Sequence, residues 1–143
     1  MGLDVGSKTI GIAVSDELGM TAQGLKVIQR RTKGDDFSEL SSIISRFGIE
    51  KIVVGLPVNM DGSLGRQAQS IMDWIQEFKV KTSLPVETWD ERLSTVQASR
   101  TLLEANLSRE KRKKVVDKLA AVIILQGYLD QAGRRDDRCT ASE

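Results

Sequence analysis

Ile52-Val53-Val54-Gly55-Leu56 is a run of five residues without a polar side chain, and Pro57 stops it. A strand with one wet face alternates apolar and polar side chains, so a strand without alternation has to be covered on both faces. The chain is thereby held to a sheet with helices packed on each side, and the rest of the sequence supplies them. Phe37, Leu40, Ile43, Ile44 and Phe47 recur at helical spacing from Asp36 onward, and Gly48 ends the helix. A second helix carries Ala68, Ile71, Trp74, Ile75 and Phe78 on one side. Ser94-Thr95-Val96-Gln97 has the form of a capping box and opens a third, to about Glu104. A fourth, from about Val115 to Gln131, contains seven consecutive apolar residues, Leu119 to Leu125, and is apolar nearly all round.

The strands fall into two groups. Gly2 to Val5, Ile10 to Ser15 and Gly24 to Gln29 follow one another across short Gly-containing turns and read as an antiparallel meander. Ile52 to Leu56 and Pro85 to Trp89 are separated by a helix and so run parallel. The predicted fold class is α/β: a mixed five-stranded sheet, three antiparallel strands and then two parallel ones, flanked by helices. Residues 1–132 read as one domain and 133–143 as a frayed tail.

Composition narrows the chemistry. The chain of 143 residues contains no histidine, which excludes Ser-His and Cys-His nucleophile systems, His-ligated zinc and histidine bases. The single cysteine, Cys139, excludes an intrachain disulfide and fits a reducing compartment. No apolar run approaches the roughly 18 residues of a membrane helix. No signal-peptide pattern opens the chain, so the expected location is cytoplasmic, away from membranes. The net charge of +1 says little, because the distribution carries the information. Catalysis has to run on carboxylates, lysines, hydroxyls or an oxygen-bound metal.

Asp4 is the first candidate. A carboxylate set inside an apolar strand costs several kcal/mol unless it is paired or bound to a cation. Asp90 and Glu91 end the fifth strand, and alternation alone leaves open which of them points inward. Asp117 opens the last helix on a stripe with Ala120, Ala121, Ile124 and Tyr128, which faces the body of the protein. Carboxylates that converge repel unless a cation lies between them, and hard oxygen donors suit Mg²⁺ or Mn²⁺. The segment Arg109-Glu110-Lys111-Arg112-Lys113-Lys114 carries five basic residues in six positions, a candidate phosphate contact beside such a site. Lys8 and Arg92 are further candidates, while Trp74 and Trp89 read as core residues rather than base-stacking platforms.

Four segments carry a family resemblance: Gly2-Leu3-Asp4-Val5-Gly6-Ser7-Lys8-Thr9-Ile10-Gly11; Val53-Val54-Gly55-Leu56-Pro57 with Asn59-Met60-Asp61-Gly62; Asp90-Glu91-Arg92-Leu93-Ser94-Thr95; and Lys113 to Lys118 continuing through Ile123 to Leu129. In this order they resemble the YqgF/RuvX family of bacterial ribonuclease H-like nucleases, over nearly the whole chain. One departure is that only three residues precede Asp4, where that family's first strand has a few more. The resemblance implies a ribonuclease H-like fold and metal-dependent phosphodiester hydrolysis in 5′-end maturation of pre-16S rRNA, with Holliday-junction resolution as the alternative. It further implies Mg²⁺ or Mn²⁺ held by Asp4, Glu91 and Asp117, with Asp90 as the substitute for Glu91. The partners it implies are structured RNA, pre-rRNA and branched DNA, bound by a monomer or weak homodimer. Nucleic acid would meet Lys8, Arg92, Arg109, Lys111, Arg112, Lys113 and Lys114. Two other readings stand beside it: a non-catalytic RNA-binding or assembly factor, and an actin-like ATPase, whose phosphate hairpin resembles Asp4 to Lys8 but which needs two such domains.

Overall fold

The computed structural model describes residues 1–93 and 118–133. The helix predicted after Ser94, the basic run 109–114, Asp117 and residues 134–143 of the predicted tail lie outside the described residues, while Gly133, predicted as the first tail residue, is still helical. The chain forms β1 (Gly2–Val5), β2 (Thr9–Ser15), β3 (Ala22–Gln29), α1 (Lys33–Phe47), β4 (Ile52–Leu56), α2 (Arg66–Lys81), β5 (Val86–Asp90) and a 3₁₀ turn at Glu91–Leu93. Residues 118–133 are helical and are called α3. The strand order is β3-β2-β1-β4-β5, with β1 and β2 and β2 and β3 antiparallel, and β1 and β4 and β4 and β5 parallel. This is the mixed sheet predicted from the sequence.

The two faces of the sheet are packed differently. On one, Leu3, Val5, Ile10, Ile12, Ile28, Ile52, Val54 and Leu56 meet α1 and α2 in the main core, which includes Phe37, Trp74 and Phe78. Trp74 stacks on Phe78 with ring centroids 5.1 Å apart. The other face bears α3 and is lined by small residues. A Cβ on Gly2 would stand 2.7 Å from Leu125 Cβ, and one on Gly127 of α3 would stand 2.9 Å from the Trp89 ring. Helix and sheet therefore approach more closely here than larger side chains permit. Ala120 and Ile124 close over Val53 and Trp89, while Ala121 and Leu125 close over Ala13 and Ala22. Both tryptophans are core residues, as the sequence suggested.

Helix α1 and strand β3 both begin earlier than predicted. Helix α1 begins at Lys33 rather than Asp36, because Thr32 caps it by accepting a hydrogen bond from the Asp35 amide; Gly48 ends it with a left-handed φ of 61°. Strand β3 begins at Ala22, so Gly24 lies within the strand instead of in the turn, and the Lys118 side chain of α3 covers it.

Candidate functional site

Strand alternation sends Asp4 to the α3 side of the sheet, along with Gly2 two residues earlier. Asp4 is 8% exposed. On β2 its partner is Gly11. On β4, one step beyond the Leu3 and Val54 pair, it neighbours Gly55, on a strand about 4.8 Å away. The carboxylate thus sits between two residues without side chains.

Glu91 comes to the same place from the far side of β4. Trp89 faces α3, Asp90 lies opposite Leu56, and Glu91 returns to the Trp89 side. It is 9% exposed, and its Oε1 lies 2.9 Å from where a Cβ on Gly55 would be. Gly55 therefore forms the floor between the two acids: any side chain there would occupy the space that Glu91 uses. Neither Asp4 nor Glu91 is without an interaction partner. Among the described residues no three His, Cys, Asp or Glu side chains form a metal-binding group.

Asp90 is committed elsewhere. Arg92 Nη2 donates to Asp90 Oδ2 at 2.7 Å and Arg92 Nε to Oδ1 at 3.1 Å, and the hydrogen bonds from Arg92 hold the Asp90 carboxyl below the usual carboxylate range. Arg92 Nη1 also donates to the backbone oxygen of Asn59 at 3.2 Å. One side chain thus ties the end of β5 to the loop after β4. Of the acidic pair, Glu91 is buried at the α3 face and Asp90 is the outer partner of an arginine.

The β1–β2 turn borders this site. Its closure is a hydrogen bond from the Gly6 amide to Thr9 O at 2.8 Å, and Lys8 is exposed at its tip. Arg30 Nη1 donates to Gly6 O at 2.6 Å, and Arg30 Nε lies 3.7 Å from Asp36 Oδ2. Asp36, 2% exposed, also accepts from the Arg31 amide at 3.1 Å. Sequence reasoning did not single out Gly55, Arg30 or Asp36. A glycine inside an all-apolar strand is a signal of close approach, whereas nothing local marked Arg30 or Asp36.

Residues 1–131 match the signature of the family described as "RuvX: Holliday junction resolvase". The chain belongs to this family. A relative from Desulforamulus reducens is 55% identical over 134 residues, spanning 94% of this chain and 98% of its own, and one from Clostridioides difficile is 60% identical over 130 residues, spanning 91% and 92%. Both carry the description of candidate pre-16S rRNA nuclease. The fold is shared with Thermus thermophilus RuvC. A structure of that protein in complex with Holliday junction substrate matches with a TM-score of 0.56 at 15% identity, over 92% of this chain and 94% of the other. A second RuvC structure matches with a TM-score of 0.51 at 15% identity, over 92% and 95%.

Proposed function

We propose that this RuvX-family protein is a divalent-metal-dependent nuclease that hydrolyses phosphodiester bonds in 5′-end maturation of pre-16S rRNA, acting in the cytoplasm as a monomer or weak homodimer. The observation that carries the reading is the pair of buried carboxylates, Asp4 and Glu91, on either side of Gly55. It stands in a chain more than half identical to candidate rRNA nucleases over nearly its full length.

Asp4, Glu91 and Asp117 hold Mg²⁺ or Mn²⁺ in this proposal, and the two described members fit hard cations: both are buried oxygen donors on the α3 side of the sheet. When bound, such ions supply charge neutralisation at the scissile phosphate and a more acidic attacking water. The water oxygen bonds to phosphorus, the bond to the 3′ oxygen breaks, and the products are a 5′ phosphate and a 3′ hydroxyl. The absence of histidine from the chain is no obstacle to this chemistry. Lys8 sits at the tip of the turn beside Asp4 and meets substrate phosphates there; Arg109, Lys111, Arg112, Lys113 and Lys114 extend that contact on sequence grounds. Arg92 belongs to the same interface, with the further task of holding the Asn59 loop against β5.

Holliday-junction cleavage is the second reading, favoured by the family's own description as a resolvase. The deciding experiment offers a precursor rRNA fragment and a four-way DNA junction to the wild type and to Asp4→Asn, with Mg²⁺ or Mn²⁺. Cleavage of the RNA, lost in Asp4→Asn, is the expected result. Cleavage of the junction alone selects the second reading, and wild-type rates in Asp4→Asn refute the assignment of the site.

A further inference from the structure

A cleft of about 640 Å³ opens on the opposite side of the β1–β2 turn from Asp4. Its walls are Val5 at the end of β1, Gly6 and Ser7 of that turn, Arg30 just after β3, Lys33 at the start of α1, and Arg66, Ser70, Asp73 and Trp74 of α2. The lining carries three cations against one acid. Arg30 is fixed in place by Gly6 O and the Asp36 carboxylate. Lys33 pairs with Glu77 at 2.9 Å, both ends at least 47% exposed, so that pair is weak and exchangeable. Arg66 is exposed and makes no ion pair among the described residues. Ser7 and Ser70 add hydroxyl donors, and Val5, Ile71 and Trp74 form an apolar floor.

Guanidinium forks, an ammonium and hydroxyls converging on one space match the oxygens of a phosphodiester better than those of any neutral ligand. The volume exceeds what a bare phosphate fills and lies within the range of sites that enclose a small organic group, about 300 to 1,000 Å³. Position supplies the second argument. Val5 follows Asp4 directly and points to the opposite face, so cleft and carboxylates lie on the two sides of the end of one strand. A strand of nucleic acid crossing the Gly6-Ser7-Lys8 edge reaches both.

We propose that this cleft is a second substrate-binding site, which takes a nucleotide flanking the cleaved bond and grips its phosphodiester with Arg66, Lys33 and Arg30. The inference rests on the nuclease reading for its substrate class, but it is tested by binding and does not depend on cleavage. The wild-type protein is titrated with a twelve-nucleotide single-stranded RNA, and separately with inorganic phosphate, while backbone and arginine side-chain NMR signals are followed. The same RNA is then bound to Arg66→Ala/Lys33→Ala and to Ser70→Glu, each checked for wild-type melting. Shifts at Ser7, Arg66 and Ser70 with RNA are expected, together with a roughly tenfold weaker Kd in the double variant. The slope of log Kd against log salt should shrink by about 0.7 for each phosphate that the double variant no longer neutralises. Shifts confined to the Asp4 side, or unchanged Kd in both variants, overturn the cleft and leave the nuclease reading standing. Equal shifts with inorganic phosphate at matched phosphate concentration show a free-anion site and overturn it as well. Cleft shifts in a protein whose Asp4→Asn variant cleaves normally support the cleft and refute the catalytic assignment. An absence of shifts anywhere refutes both.

Discussion

Gly55→Ala probes packing and chemistry with a single methyl group. That methyl would overlap Ile124 Cδ1 and stand 2.9 Å from both Ile124 Cγ1 and Glu91 Oε1. Carbon contacts are comfortable at about 3.5 to 4.0 Å, so Ile124 Cγ1 and Glu91 Oε1 each have to yield by roughly half an ångström to one ångström, and Ile124 Cδ1 by more. Ile124 is fully buried against Val53 and Trp89, so its shift disturbs that packing. Overpacking of this kind costs about 1 to 3 kcal/mol, which for a chain of this size lowers Tm by about 3 to 10 °C. Glu91 has to shift its carboxylate, and a misplacement of about 1 Å at a reacting centre lowers rates by about a hundredfold. Gly2→Ala is the control. Its methyl would press on α3 at 2.7 Å from Leu125 Cβ and 3.1 Å from Ala121 O, with no contact to Glu91. Both variants should melt lower, and only Gly55→Ala should lose cleavage per folded molecule, measured by calorimetry and by product formation from the precursor RNA. A Gly55→Ala protein that melts with the wild type refutes the packing argument. Two destabilised variants that cleave equally well remove Glu91 from the reaction.

Two further perturbations test the electrostatics. Burial pulls the Met1 ammonium, which donates to Lys51 O at 2.9 Å, from 8.0 down to about 6. Between those values the unfolded chain binds a proton that the folded one excludes, so stability should fall by about 2 to 3 kcal/mol as pH drops from 8.5 to 5.5 and level off below. With no histidine in the chain to titrate in that window, urea unfolding at each pH isolates the effect. N-terminal acetylation should abolish it, and an equal step in the acetylated protein refutes the assignment. Arg92→Ala removes the side-chain hydrogen bonds, the largest cause of the depression of Asp90, so the Asp90 carboxyl should titrate upward toward its ordinary range, and amides near Asn59 and Met60 should exchange faster. Carboxyl NMR titration reads the first, and an unmoved Asp90 refutes it.

The architecture was legible in the sequence because periodicity is local. The unbroken apolar run at Ile52 to Leu56 demanded cover on both sides, the turns after Val5 and Ser15 demanded hairpins, and the helical spacing of Phe37 to Phe47 supplied a cover. Asp4 was legible for the same reason, since a charge in an apolar strand stands out against its immediate neighbours. The choice of Glu91 over Asp90 came from family resemblance, since alternation alone left both open; the burial of Glu91 and the grip of Arg92 on Asp90 are visible only in the fold.

The sequence by itself determined which of the described segments are strands and helices, which residues are apolar enough to form the core, and that any chemistry has to do without histidine. Only the tertiary structure decided that Asp4 and Glu91, 87 positions apart in the chain, are both buried on the α3 side of the sheet, on either side of β4. It alone decided, too, that Arg30, Lys33 and Arg66 line one cleft behind the same turn. The reason is that side-chain direction and strand order are properties of the assembled sheet. Parallel pairing of β4 with both β1 and β5 sets the register, and register fixes which side chains share a face.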